Sequence, residues 1–159
     1  MPSTILIVGA SSGIGKETAL IFAKNNWKVV ICSRNLKKLE SLAEFSSKSL
    51  KKKLLPFKLD ITKSEKLNSD INKIIQKTGI PDIVYLNAGT NDPNSKQIVN
   101  IKQTRKLFET NFFGIIHCTE VFLPYLRKKK NCQLVIMSSV AGYRGLPYAA
   151  AYCSTKAAL

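Results

Sequence analysis

A short apolar segment followed at once by a glycine-rich loop restricts the fold of this chain more than any other feature. Residues 5–8 are all apolar, as in a strand buried on both faces of a parallel sheet, and the next seven residues read Gly-Ala-Ser-Ser-Gly-Ile-Gly. Glycines allow close backbone approaches, and the free N–H groups at the start of a following helix can bind a pyrophosphate. An ordinary glycine-rich turn is the alternative, because the spacing differs from the commoner Gly-x-Gly-x-x-Gly fingerprint.

We therefore predict a strand, loop and helix that bind a dinucleotide. The loop residues expected to contact this cofactor are Gly9, Ser11, Ser12, Gly13, Ile14 and Gly15.

Further apolar segments of strand length alternate with helical patterns along the chain. Strands are predicted at residues 28–32, 54–59, 83–86 and 134–137, and helices at residues 16–24, 35–45 and 98–127 and around positions 67–75 and 152–156. Pro56 falls in the third strand, and proline is tolerated in a strand only at an edge or a bulge. These patterns predict an α/β fold, a Rossmann-type doubly wound parallel sheet of strand order 3-2-1-4-5, in one domain over residues 1–159.

The end of the second strand indicates which nicotinamide cofactor is bound. An acidic residue there would bind the ribose 2′-hydroxyl of NAD, whereas this chain has Ser33 and Arg34, and a cation suits a 2′-phosphate. The sequence therefore favours NADP over NAD. In the alternative, Arg34 is only a surface residue that opens the next helix, since Ser12 leaves the glycine loop without a second cation.

Polar residues follow the third strand. Asp60, with Ile61 beside it, could contact the adenine of the cofactor or could be a turn residue. Thr62 and Glu65 are predicted to form a capping box for the next helix, which would leave Asp60 free of that duty.

The fourth strand ends in Asn87, Ala88 and Gly89, where the asparagine could join neighbouring loops and the glycine could pass close to the cofactor. Asn111 lies inside an apolar helix, where an amide is costly unless it is bonded or locally disrupts the helix to hold water. His117 faces elsewhere and is interpreted as a packed or surface histidine rather than a catalytic one.

Tyr152 and Lys156 are four residues apart, which places them on one helix face. An ammonium about 4 Å from a phenol stabilises the phenolate by up to ~4 kcal/mol at an effective dielectric near 20, which favours a general acid/base near neutral pH. Ser139 would hold the substrate oxygen while the proton moves, and Ser138 is assigned a structural role at the strand end. Proton transfer to an oxygen suggests hydride transfer to its carbon.

The spacing alone is weak, because Tyr125 and Lys129 form a second Tyr-x-x-x-Lys pair. That pair follows Pro124 near a basic helix end, whereas Tyr152 follows an apolar strand, a serine and a Gly/Pro turn. Only the later pair is predicted to reach a substrate.

Charge, cysteine spacing and hydropathy limit which other classes of function are compatible with the sequence. The 25 basic and 10 acidic residues give a net charge of +15, mostly from scattered lysines without an aromatic-plus-basic sheet motif or zinc-finger spacing, so a solvated surface is favoured over nucleic-acid binding. The four cysteines show no CxxC spacing, which predicts reduced thiols and no metal site. With no apolar run near 18 residues and no leader pattern, no membrane contact and a cytoplasmic location are expected.

Together these motifs resemble the short-chain dehydrogenase/reductase family of doubly wound, NAD(P)-dependent oxidoreductases. The matching residues, in chain order, are Gly9, Gly13, Gly15, Asp60, Asn87, Ala88, Gly89, Asn111, Ser139, Tyr152 and Lys156.

The resemblance implies Tyr152 as acid/base, Ser139 as the residue that orients the substrate, and Asn111 as holder of a proton-relay water. It implies that Lys156 binds the nicotinamide ribose and assists Tyr152, so that both contact the cofactor. The implied reaction is hydride transfer between NADP(H) and a small-molecule alcohol or ketone, in a homo-oligomer paired through the helices of Asn111 and Tyr152.

Members of this family have roughly 250 residues, whereas this chain stops at Leu159, so the last strands of the complete fold are expected to be missing. Two alternatives to an NADP-dependent oxidoreductase remain open. One is a truncated, catalytically inactive remnant that at most binds nucleotide, and the other is a basic nucleic-acid-binding module.

Overall fold

Five strands form one parallel sheet in the computed structural model, which describes residues 2–46, 48–51, 53–91 and 100–159. The strands are β1 (Thr4–Val8), β2 (Lys28–Ser33), β3 (Leu54–Lys58), β4 (Ile83–Leu86) and β5 (Gln133–Ile136). Their order is β3-β2-β1-β4-β5, and every neighbouring pair is parallel. The predicted α/β class and strand order are confirmed.

Helices cover both faces of this sheet. They are α1 (Gly13–Lys24), α2 (Leu36–Glu44), α3 (Lys48–Lys51), α4 (Ser64–Thr78), α5 (Ile101–Phe108), α6 (Gly114–Leu126) and α7 (Ala150–Ala157). Because side chains alternate along a strand, Leu6 and Val8 join an apolar cluster with α4 and α6, whereas Ile5 and Ile7 join one with α1 and α2. The sheet is therefore covered on both faces, as its apolar strands predict.

The two edges of the sheet differ in their exposure. Pro56 lies in β3 at one edge, where its missing N–H removes no bond from a central strand, as predicted. β5 forms the other edge, and its residues alternate between exposed and half-buried. It pairs only with β4 within the described chain, so its outer edge has no neighbouring strand there.

The single helix predicted over residues 98–127 is wrong in detail, because a π-helical turn at Glu109–Phe113 separates α5 from α6. Asn111 lies in this turn and is completely buried, and its side chain bonds outside its own helix. Of the two ways expected to accommodate a buried amide, Asn111 is bonded, and the helix is also locally disrupted by one wider turn. The first two residues predicted for this helix lie outside the described residues.

The capping box predicted for Thr62 and Glu65 is also wrong. Helix α4 begins at Ser64 after Lys63, and within the described residues Lys63 makes no side-chain capping bond. Thr62 instead donates its N–H and its hydroxyl to Asp60 Oδ1, at 3.1 and 2.8 Å. The chain makes an Asx turn before the helix begins, and this turn uses the threonine that the sequence pattern assigned to the cap.

The helices of the described ranges include none that is both long and apolar enough to cross a membrane.

Phe122→Ala tests the packing of α6 on the sheet. Phe122 is completely buried, so its truncation is expected to lower the free energy of unfolding by about 3–5 kcal/mol, because a cavity replaces a packed ring. Phe45→Ala is the matched control, since Phe45 is 92% exposed and its loss is expected to change stability by less than about 0.5 kcal/mol. Urea unfolding followed by circular dichroism measures both, and equal effects would contradict the described packing.

Candidate functional site

Loops at the carboxyl edge of the sheet surround a cleft of about 770 Å³. The carboxyl ends of parallel strands share one edge, and the strand order reverses between β1 and β4, which is where doubly wound sheets place their ligands. Most residues predicted from the sequence line this cleft: Gly9, Ser11, Ser12, Gly13, Ile14, Ser33, Arg34, Ile61, Asn87, Ala88, Gly89, Ser139, Tyr152 and Lys156. The other three, Gly15, Asp60 and Asn111, are not among the described residues that line it.

Backbone contacts between the loops after β1 and β4 fix the floor of the cleft. Gly9 has φ +91°, and a Cβ added to it would lie 2.7 Å from Ala88 Cα. Asn87 Nδ2 donates to the Gly9 carbonyl oxygen at 3.0 Å, which confirms that Asn87 joins neighbouring loops. Gly15 lies beneath this contact, since an added Cβ would be 2.2 Å from the same carbonyl oxygen.

The first turn of α1 faces the cleft at Ser12, Gly13 and Ile14. Ser12 makes no side-chain capping bond in the described part of the chain, so the first N–H groups of the helix stay free for an anion. Gly13 has φ +54°, and a Cβ added there would meet none of the described atoms within 4 Å. The helix N-terminus therefore opens directly onto the cleft.

Two exposed cations line the cleft beyond the end of β2. Arg34 follows the strand, and Lys38 lies one helical turn further on, in the first turn of α2. Asn35 caps α2 by accepting from the Lys38 backbone N–H at 3.2 Å, and Ser33 Oγ donates to the Asn35 carbonyl oxygen at 3.1 Å. The sequence reasoning missed Lys38, because Arg34 precedes the N-cap of α2 and helical spacing therefore does not relate the two residues.

Asp60 is held by the turn that follows β3. Its carboxylate accepts both bonds from Thr62, and the lining of the cleft at this point comes from Leu59, Ile61 and Thr62. The contacts of Asp60 are therefore those of a turn residue, which was one of the two alternatives. Its contact with the adenine remains a prediction.

Helix α7 brings Tyr152 and Lys156 to the opposite wall of the cleft. Lys156 is only 5% exposed, and its ammonium donates to the Met137 carbonyl oxygen at 2.8 Å. Burial lowers the pKa of Lys156, because the ammonium loses hydration. A Cβ added at Gly89 would lie 3.7 Å from Lys156 Nζ, so the loop after β4 passes close to this cation.

The two serines after β5 make different contacts, although both line the cleft. Ser139 Oγ accepts from the Ala141 N–H at 3.2 Å at the start of the 3-10 turn Val140–Gly142. Ser138 Oγ donates to the Lys156 carbonyl oxygen at 3.2 Å and so ties β5 to α7. This bond is a structural role of the kind predicted for Ser138.

Asn111 lies behind the cleft and connects two of its walls. Its Oδ1 accepts from the Thr90 N–H at 2.8 Å, and its Nδ2 donates to the Thr90 carbonyl oxygen at 2.8 Å and to Thr155 Oγ1 at 3.1 Å. The amide therefore bonds both the loop after β4 and helix α7.

The second Tyr-x-x-x-Lys pair lies elsewhere in the structure. The Tyr125 hydroxyl donates to Asn72 Oδ1, and Lys129 Nζ contacts Asp82 Oδ1 at 2.8 Å, just before β4 begins. Partial burial raises the pKa of Asp82, but the net shift is downward, because hydrogen bonds from Lys129 and from backbone N–H groups, together with the positive charge of Lys129, favour the carboxylate. These contacts stabilise the amino edge of the sheet, away from the cleft.

Potential metal-ligating side chains in the described part of the chain do not cluster into a metal site. The described ranges contain no group of three or more His, Cys, Asp or Glu side chains that could hold a metal ion. The four cysteines are free, and burial raises the pKa of the Cys118 thiol to about 12. His117 is half-buried and lines a separate groove between α4 and α6.

The family model and the relatives that match this chain indicate the same family. Residues 3–159 match the family model described as short chain dehydrogenase. The chain is 34% identical to the NADPH-dependent pterin aldehyde reductase of Arabidopsis thaliana, over 98% of this chain and 64% of the relative. It is 32% identical to the 3-oxoacyl-[acyl-carrier-protein] reductase FabG of Thermotoga maritima, over 96% of this chain and 61% of the relative.

Solved structures agree with these relatives. A tyrosine-to-phenylalanine variant of ElxO with NADPH bound superposes with a TM-score of 0.90 at 34% identity, over 99% of this chain and 64% of the other. ElxO with NADP bound gives a TM-score of 0.87 at 34% identity over the same shares. The chain thus spans less than two thirds of the length of these relatives. Since the family model matches nearly its whole length, this chain belongs to the short-chain dehydrogenase family.

Proposed function

We propose that residues 1–159 form one NADP(H)-binding domain of an oxidoreductase that transfers hydride between NADP(H) and a small-molecule alcohol or ketone. One observation carries the proposal: a single cleft is lined by a glycine loop, by cations after β2 and by Tyr152 with Lys156 on α7. Relatives that bind NADPH or NADP support the choice of cofactor.

The charge of the cleft suits an anionic dinucleotide. Arg34, Lys38 and Lys156 line it, and none of the described lining residues is acidic. In the proposal, the N–H groups at Gly13 and Ile14 bind the pyrophosphate, and Arg34 with Lys38 binds the 2′-phosphate. Bound NADPH would supply the hydride.

In the proposal, residues of α7 and of the segment after β5 carry out the proton transfer. Tyr152 donates its hydroxyl proton to the substrate oxygen during reduction and takes it back during oxidation. Ser139 bonds the same oxygen, and the Lys156 ammonium stabilises the phenolate that forms on Tyr152. Asn111 is assigned to the proton-relay water, and because its amide already bonds Thr90 and Thr155, the water would bind the backbone around it.

Pairing of two chains through α5, α6 and α7 is part of the proposal. Ile101, Phe113 and Ile116 are 68%, 43% and 42% exposed, and all lie on the segment that carries Asn111. Apolar surface of this kind is typical of an interface.

Nucleotide binding without turnover is the second candidate function. Val140, Tyr143 and Tyr148, which lie between Ser139 and Tyr152, are 69%, 92% and 82% exposed. This exposed segment favours a cleft that binds the cofactor and leaves the substrate side open. NADPH fluorescence together with a panel of carbonyl substrates separates the two candidates.

Tyr152→Phe tests the acid/base assignment. Removing the hydroxyl is expected to lower kcat about 10²–10⁴-fold, the usual contribution of general acid catalysis, while NADPH still binds. Tyr125→Phe is the matched control, because Tyr125 is also followed by a lysine four residues later but bonds Asn72 instead. Equal turnover in wild type and Tyr152→Phe would rule out the assignment.

Arg34→Ala and Lys38→Ala test the choice of NADP(H). Each loses a charged contact worth about 1.5–3 kcal/mol, so the Kd for NADPH is expected to rise about tenfold or more, with the Kd for NADH nearly unchanged. Lys37→Ala is the control, since Lys37 is an exposed neighbour on α2 outside the described lining of the cleft. Fluorescence titration measures all three, and equal losses for both cofactors would argue against a 2′-phosphate site.

Lys156→Met tests whether the buried cation costs stability. Since the folded-state pKa of Lys156 lies below its ordinary value of 10.5, the unfolded chain binds this proton more tightly. Stability therefore rises with pH between the lowered folded pKa and 10.5. Lys156→Met is expected to be more stable than wild type at pH 7, by a margin that narrows as the pH approaches 10.5.

Denaturant unfolding from pH 7 to 10 checks this expectation, with exposed Lys130→Met as the control. A Lys156→Met variant that is less stable than wild type at pH 7 would show that the bond to Met137 outweighs the cost of burying the charge.

A further inference from the structure

Thr155 is a buried threonine whose hydroxyl uses both of its hydrogen-bonding functions. The side chain is 0% exposed, one residue before Lys156 on α7. Oγ1 donates to the Tyr152 carbonyl oxygen at 2.7 Å and accepts from Asn111 Nδ2 at 3.1 Å. A buried hydroxyl with one donor bond and one acceptor bond is satisfied on both counts.

The bond from Thr155 to the Tyr152 carbonyl oxygen is common in helices, whereas the bond from Asn111 to Thr155 is not. Threonine often bonds a carbonyl of the preceding turn, as Thr119 does with Ile115 in α6 at 2.9 Å. The bond from Asn111 instead comes from a residue 44 positions earlier, in the π-helical turn. It connects the helix that carries Tyr152 and Lys156 to a different part of the fold.

The connection continues beyond Asn111 to the wall of the cleft. The Asn111 amide bonds both the N–H and the carbonyl oxygen of Thr90, and Thr90 lines the cleft after Gly89. A Cβ added at Gly89 would lie 3.6 Å from Asn111 Oδ1 and 3.7 Å from Lys156 Nζ. Thr155, Asn111 and Thr90 thus form one continuous chain of bonds, buried at Thr155 and Asn111, near the Lys156 ammonium.

We propose that the Thr155 hydroxyl is a positioning group that fixes helix α7, and with it Tyr152 and Lys156, relative to the Thr90 wall of the cleft. It acts through Asn111 and does not contact the reacting atoms. The consequence for hydride transfer rests on the proposed function, whereas the coupling of Thr155 to Thr90 does not.

Amide hydrogen exchange tests the coupling without turnover. In Thr155→Val one Asn111 N–H loses its buried acceptor, so the Thr90 amide is expected to exchange at least about fivefold faster relative to the Ile71 amide in α4. Thr155→Ser keeps the hydroxyl and is expected to stay within about twofold of wild type. Thr119→Val, which removes a back-bonding hydroxyl from α6, is expected to leave the Thr90 amide unchanged.

A merely structural role for Thr155 gives a different pattern. Loss of packing would speed the Thr90 and Ile71 amides together, and this result overturns the proposal. If Thr155→Val does not fold, the exchange rates of the Thr90 and Ile71 amides are compared in Thr155→Ala, which adds no bulk.

Steady-state kinetics tests the catalytic consequence. Thr155→Val is expected to lower kcat about tenfold or more with little change in the KM for NADPH, and Thr155→Ser is expected to recover most of kcat. Faster Thr90 exchange with unchanged kcat overturns the positioning role. A wild-type chain without turnover counts against the proposed function, while the exchange comparison still decides whether Thr155 and Thr90 are coupled.

Discussion

The carboxyl ends of five parallel strands meet at one edge of the sheet, and every functional contact described above depends on this constraint. Residues 9, 34, 89, 139 and 152 are distant in sequence but follow strands that end together. Short bonds then fix the loops to one another, with Asn87 bonded to the Gly9 carbonyl and Lys156 bonded to the Met137 carbonyl. Without parallel pairing, these loops would not share a cleft.

Helix α7 carries a local conflict between stability and its proposed function. It holds a nearly buried ammonium whose pKa is lowered by desolvation, which is an unfavourable place for a charge. Polar contacts surround that helix, since Ser138 donates to the Lys156 carbonyl and Thr155 joins the helix to Asn111. The backbone of Gly142 also approaches closely, because an added Cβ would lie 2.6 Å from the same carbonyl oxygen. These contacts are the kind of support that holds a buried functional group in place.

The sequence was sufficient for features that depend on local apolar patterns. All five strands begin within one residue of the predicted position and have the expected neighbours, and Pro56 identified an edge, because a buried parallel strand and a missing N–H both leave local signatures. It was insufficient where a tertiary partner decided the outcome. Asn111 bonds residues far away in sequence and leaves a π-helical turn where a continuous helix was predicted.

Errors at the site have the same origin. Thr62 matches a capping pattern but bonds Asp60, since the chain turns before α4 starts. Lys38 was missed because its place on the cleft depends on how α2 leaves the second strand. The positions of Arg34, Tyr152 and Lys156 at the cleft could be predicted from the sequence. Their motifs follow strands that the apolar pattern had already identified.

The most direct test of the central claim is an NMR titration of the ¹⁵N-labelled 159-residue chain with NADPH. If the carboxyl edge of the sheet forms one cofactor cleft, the amides of Gly13, Arg34, Gly89 and Tyr152 will shift together and saturate at one Kd. Shifts confined to the groove between α4 and α6, or no saturable shifts at any concentration, would contradict the account.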